Sequence, residues 1–532
     1  MSVRRALVLL LAIPALSFLV ACGGGGGSIV RTVPPPSGAF SNGSLNGTYV
    51  FSSSGFDASG GLLSMMGTLV ANGSGGITGG TVTIMSSDST VGMNPNQAIS
   101  SASYKLGSDG RGQIQFNANV VGGGVTFVLD FVLSSPSHGL VTEFDAIGSG
   151  SGTIDLQPSA VAQGSLVGSY TFAVAGTGPS LSSSSFATVG SVTLDATGTA
   201  TAGSEDINNG TTVAANQPIP TTSFVNVGTP TAPGTAQIGS YTFDVFAIDN
   251  THLKLIQNDG LLVVSGDVFT QATSLPASST LAFTMSGNGA AGPLALGGLI
   301  PLDASSQVAS GGTEDYNDGG NVNTDTTFTG GFTALTGGRS TLALNGFVNF
   351  ASNDVPGNFI FAAYPFTSNG ATGVELLEID GLGGVTLGTA YVQSGTSLAA
   401  SQGFALNLSA FNLGNGSGTF EEDDIAEFST TSSTFNGIVD FSDEGNQTFG
   451  QPFTGNYSAG VTGQYIASTT NAFNFNIYVV DSSTFLIMET DSNQIGTGVF
   501  EVQNASGSAA AQARVSVFHA PIQSHAARQK KR

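Results

Sequence analysis

Glu143-Phe144-Asp145 runs on to Gln157, and the same short hairpin returns three times. It reads Gln257-Asn258-Asp259 to Gln271, Glu378-Ile379-Asp380 to Gln393, and Glu489-Thr490-Asp491 to Gln503. The Asp-to-Gln interval is 12, 12, 13 and 12 residues, and successive glutamines stand 114, 122 and 110 residues apart. Self-similarity at so steady a spacing marks tandem copies of one folding unit. Each copy is long enough to close a core of its own without cross-links.

Upstream of each hairpin the pattern is that of half-buried strands. The copies open at Gly47-Thr48-Tyr49-Val50-Phe51, Gly168-Ser169-Tyr170-Thr171-Phe172, Leu281-Ala282-Phe283 and Phe404-Ala405-Leu406. Ile114, Phe116, Ala118 and Val120 alternate with Gln113, Gln115, Asn117 and Asn119, and Phe473, Phe475, Ile477 and Val479 alternate with Asn474 and Asn476. Period two with glycine-rich turns, and no sustained helical period, predicts an all-β chain. About eight strands per copy are expected, centred in the first near Tyr49, Leu69, Val82, Tyr104, Ile114, Phe127, Val141 and Ile154. Hairpin-length links favour an up-and-down barrel, because closure removes sticky edges. A two-sheet sandwich is the alternative. The expected modules are 42–157, 163–271, 278–393 and 400–503, joined like beads by short polar connectors, with a disordered basic tail over 504–532.

Charge is scarce and lopsided. Only Lys105, Arg111, Lys254 and Arg339 stand in the repeat region, against all 35 acids. Such a body repels phosphate backbones, so nucleic acid is not an expected partner. The four histidines are too scattered for a histidine-based metal centre. The single cysteine, Cys22, rules out an internal disulfide.

The front end has the parts of an export signal: Arg4 and Arg5, then an apolar stretch from Ala6 to Val20 that is short for a membrane span. Its close, Leu19-Val20-Ala21-Cys22, resembles the lipobox of bacterial lipoproteins. That resemblance implies a signal peptide over 1–21 and lipidation of Cys22. Gly23 after the cysteine, where such lipoproteins carry an Asp for inner-membrane retention, implies the outer membrane. Residues 22–41, with Gly23 to Gly27 and Pro34 to Pro36, read as a tether with a flexible and then a stiff part. The Gly-x-Tyr opening is similar to the Gly-x-Trp opening of lipocalin-like and avidin-like barrels, although this chain has no Trp. The whole has the look of the Gly/Ser/Thr-rich repeat lipoproteins.

Two constellations could carry chemistry. Glu205, Asp206 and Asn208, and Glu314, Asp315 and Asn317, offer oxygens of the kind calcium prefers, and Glu421, Glu422, Asp423 and Asp424 stand as the fourth module's counterpart. They match no known calcium loop, and a strand would send Glu205 and Asp206 to opposite faces. They read as solvated hairpin turns, with no metal and no cofactor expected. The repeated Glu-x-Asp places two carboxyls about 6.6 Å apart on one strand, not across a sugar. It reads as a structural turn. His138 and His252 recur at matching places but become Gly373 and Thr484 in the other copies, so they read as surface residues at strand starts. No catalytic residue is expected. The expectation is a lipid-anchored, non-enzymatic envelope protein that binds an unknown ligand through barrel mouths or acidic turns. A spacer or adhesin, and more remotely a carbohydrate-active enzyme, are the alternatives.

Overall fold

A computed structural model describes residues 40–506, apart from 181–182, 230, 289–291, 310, 349–355, 382–383, 415–419 and 471–472. Cys22, the signal segment, nearly all of the tether and the tail from 507 lie outside the described residues. Apart from two short 3-10 turns at Asn42–Ser44 and Gln163–Leu166, the regular structure is all strand.

Four runs of antiparallel strands follow one another, and in each the first strand pairs with the last. Phe51 lies opposite Ile154, Phe172 opposite Val268, Phe283 opposite Ala390 and Leu406 opposite Phe500. This pairing makes each run an up-and-down barrel and sets the sandwich aside. The third and fourth runs close with eight strands each. The first two have nine, because a short extra strand, Met93–Ala98 or Val213–Pro218, precedes Ser100–Leu106 or Phe224–Asn226. In the other two runs one long strand, Asn321–Phe332 or Asn446–Ala459, does the work of both and pairs with neighbours on either side.

Alternation decides what is inside. Ile114, Phe116 and Ala118 are buried in the first barrel, as are Phe127, Leu129 and Phe131 of the next strand. In the fourth, Phe404 packs edge-on to Phe485 and Phe500 at 5.8 and 5.3 Å. Each Phe so buried contributes roughly 2–3 kcal/mol relative to an exposed one. Phe40, from the end of the expected tether, joins the first core. The Gly-x-Tyr opening has a local purpose. The hydroxyls of Tyr49 and Tyr170 donate to the carbonyls of Pro136 and Asn250, both at 2.8 Å, and so tie the first strand to the turn before the eighth.

The barrels are not separate beads. Apolar clusters of outward-facing residues cross from the first barrel to the second (Val50, Met66 and Met85 against Phe246 and Ile256) and from the second to the third (Val189 against Tyr364 and Leu387). Others cross from the third to the fourth (Tyr391 against Tyr478 and Ile495) and from the fourth back to the first (Ile425 and Val499 against Val132 and Leu140). The last contact closes the series, so four barrels form a ring.

Candidate functional site

The residues with chemistry converge on the four seams of this ring. Each seam is built on the third strand of a barrel: Ile77–Ser86, Ala200–Asn208, Gly312–Asp318 or Thr434–Asp443. On the neighbouring fourth strand one residue turns left-handed: Asn96, Asn216, Asp325 or Gly450, with φ of 49°, 50°, 56° and 66°. A register shift in the pairing accompanies it every time, which is a β-bulge. The bulge aims its N–H at a third-strand side chain. Thr83 accepts from Asn96 at 3.0 Å, Asp206 from Asn216 at 3.0 Å, Asp315 from Asp325 at 2.7 Å and Asp440 from Gly450 at 2.5 Å.

The same four side chains then reach into the next barrel. Thr83 donates to Asp244 at 2.5 Å. Asp206 takes two hydrogen bonds from Arg339 at 2.6 and 2.7 Å and one from Tyr364 at 2.7 Å. Asp315 accepts from Gln464 and Asn476 at 2.8 Å and from Tyr478 at 2.5 Å. Asp440 meets Arg111 at 3.1 Å and completes the circle. Asp206 and Asp315 are therefore buried strand residues, not solvated turns. Glu205 does face the opposite way, into its own barrel, where burial pushes its pKa up to about 7. The fourth module's counterpart of Asp206 is Asp440, not the run Glu421 to Asp424, which lies on the second strand, Phe420–Thr430. The signal was present as Gly203-x-x-Asp206, Gly312-x-x-Asp315 and Gly437-x-x-Asp440, with Gly80-x-x-Thr83 in the first copy.

The repeated glutamine is the second half of each joint. Gln157 donates to the Ala247 carbonyl at 2.5 Å, Gln271 to Gly338 at 3.3 Å and Gln393 to Val479 at 2.6 Å. Gln503 donates to both Asp109 and Leu133, at 2.8 and 3.0 Å. Each lies in the following barrel, with the first following the fourth. Glycine is required where the amide docks, since a Cβ at Gly110, Gly338 or Gly463 would come within 2.5, 2.1 or 2.6 Å of it.

The Glu-x-Asp hairpin is structural, as expected. Asp145 accepts from the N–H groups of Val128 and Ile147, and Asp259 and Asp491 accept from Thr242 and Leu261, and from Asn474 and Asn493. Each carboxylate thus closes its turn and clips the strand that precedes the hairpin. The histidines begin strands but are not on the surface. His138 bridges Asp155 at 2.8 Å to Glu501 of the fourth barrel at 3.2 Å. Burial opposes its charge, but the two carboxylates outweigh it and hold the pKa at about 10. His252 and Lys254 share Asp267, at 2.7 and 2.8 Å. Burial alone would raise the Asp267 pKa, yet Lys254 and His252 hold it below the usual range. Of the four cations in the repeat region, Arg111, Lys254 and Arg339 are buried or half-buried at seams, and Lys105 is exposed.

A cavity of ≈ 20 Å³ lies between the first two barrels, lined by Ser52, Ser54, Ser151 and Lys254, and cavities of ≈ 10 Å³ lie at the first-to-second and third-to-fourth seams. Of these three, the one beside Lys254 has room for about one water. Among the described residues no three His, Cys, Asp or Glu side chains are grouped to hold a metal ion, and no helix is long and apolar enough to cross a membrane.

No family model matches the chain, and no curated protein does. Among solved structures it is similar to kievitone hydratase from Nectria haematococca, at 10% identity over 64% of this chain and 90% of that one, with a TM-score of 0.15. A likeness at that level carries no argument about fold or activity.

Proposed function

We propose that the protein is a lipid-anchored, non-enzymatic element of the cell envelope, in which a rigid ring of four barrels is held off the membrane by its tether. The observation that carries this reading is where the polar side chains go. The acids and amides that the sequence offered as a contact surface are spent on joining barrels. Each barrel interior is packed with its own aromatic and aliphatic side chains. A packed interior favours the spacer over a ligand held in the barrel mouths. Lipidation at Cys22 supplies the anchor, each buried CH₂ of an acyl chain contributing about 0.8 kcal/mol to membrane binding.

Two measurements test this. Cys22→Ser moves the protein from the membrane fraction to the soluble fraction, and persistence in the membrane would overturn the anchor. A thermal-shift screen of the body with calcium, sugars and lipids gives no concentration-dependent rise in Tm. A saturable rise with any of them would show a bound ligand by mass action and restore the binding reading.

A further inference from the structure

Each barrel's last strand carries a different kind of side chain opposite the beginning of the strand before it. His138 lies opposite Asp155, His252 opposite Phe269, Gly373 opposite Tyr391 and Thr484 opposite Glu501. Phe269 and Tyr391 enter an apolar contact between the second and third barrels. There Phe269 stacks on Phe366 at 4.8 Å, and Phe366 meets Tyr391 edge-on at 5.7 Å. Asp155 and Glu501 are acids, and they come together between the first barrel and the fourth.

His138 stands between them. Its Nδ1 is 2.8 Å from Asp155, and its Nε2 is 3.2 Å from Glu501, which lies 363 residues away in the chain. All three side chains are buried. Asp155 also accepts from the hydroxyl of Thr153 at 2.8 Å. Glu501 is held by less: among the described residues its other oxygen has no hydrogen-bond partner. An ionised carboxylate only accepts, and a neutral imidazole has one N–H. Two ionised carboxylates at the two ring nitrogens therefore require the doubly protonated ring. They are the titratable groups that face it, one from the adjacent strand of its own barrel and one from the fourth barrel. Arg111, at the same seam, is held by Asp109 and Asp440.

We propose that His138 is a proton-dependent clasp on the ring: its imidazolium holds Asp155 of the first barrel and Glu501 of the fourth at once, and loss of one proton loosens the seam between them. Burial works against the charge, but Glu501 and Asp155 outweigh it and raise the pKa from the ordinary 6.5 to about 10. A base whose pKa is raised on folding contributes stability that is complete below its unfolded value. That stability is lost as pH rises through the folded value. The clasp therefore holds in acid and weakens across the range from about pH 6.5 to about pH 10.

The test follows the imidazole signals of the full chain in non-ionic detergent by NMR, with His138 assigned through its backbone. The wild-type ring is still charged at about pH 8, where an ordinary histidine has lost its proton. A midpoint near the ordinary value overturns the clasp. In Glu501→Gln the side-chain amide can donate to a neutral Nε2, so the ring no longer needs its second proton. The His138 signal of that variant titrates well below the wild-type one, and its Tm falls less than that of wild type between about pH 7 and about pH 10. Parallel melting profiles overturn the proposal. Should the variant not fold, hydrogen exchange on wild type decides. The Asn504 N–H, which crosses the seam to the Ser134 carbonyl at 2.6 Å, loses protection with rising pH before the barrel-core amides do. Equal protection throughout refutes the clasp.

Discussion

Arg339 shows how much one side chain carries. Its guanidinium grips both oxygens of Asp206, whose side chain is wholly buried. Truncation removes the cation that grips the carboxylate and leaves Tyr364 and the Asn216 N–H to hold it. Leaving a buried charge unpaired costs several kcal/mol. Arg339→Ala is therefore expected to lower unfolding stability by about 3 kcal/mol in denaturant titration. Arg339→Lys should lie between, because an ammonium cannot make the planar two-point contact. Equal stability of all three proteins would mean that the pair is decorative. None of this was legible at the residue: Arg339 and Asp206 are far apart in sequence, and a sparse acidic composition reads as a solvated surface until the partner is seen.

The repeating element is the bulge on the fourth strand. It needs a residue that tolerates positive φ, which explains Asn96, Asn216, Asp325 and Gly450 at one structural position. A β-branched side chain does not fit that region. Asn216→Val should destabilise by roughly 1–2 kcal/mol, whereas Asn216→Gly should be close to neutral, as measured by chemical denaturation. A harmless valine would show that the bulge is not needed to aim the backbone at Asp206. Strands of clean alternation, such as those around Phe116 and Phe475, were legible because burial on one face imposes period two. The fourth strand was not. Met93–Ala98 and Val213–Pro218 are largely exposed and polar, so no alternation betrays them. Asn476 looked solvent-facing because it points away from its own core, but what it meets is Asp315.

At the scale of the molecule the four glutamines were the first sign of repetition, and they prove to be the joints. The sequence period announces how many barrels there are, because each copy repeats the same local demands. It cannot announce their arrangement, since each copy docks on a neighbour 67 or more residues away, and the fourth docks on the first across most of the chain. Closure is what separates a ring from a string with the same modules. Small-angle scattering of the chain from residue 40 onward measures it directly. A compact ring of this length gives a radius of gyration of about 24 Å. A value above about 30 Å, as from barrels strung end to end, would contradict the closed ring.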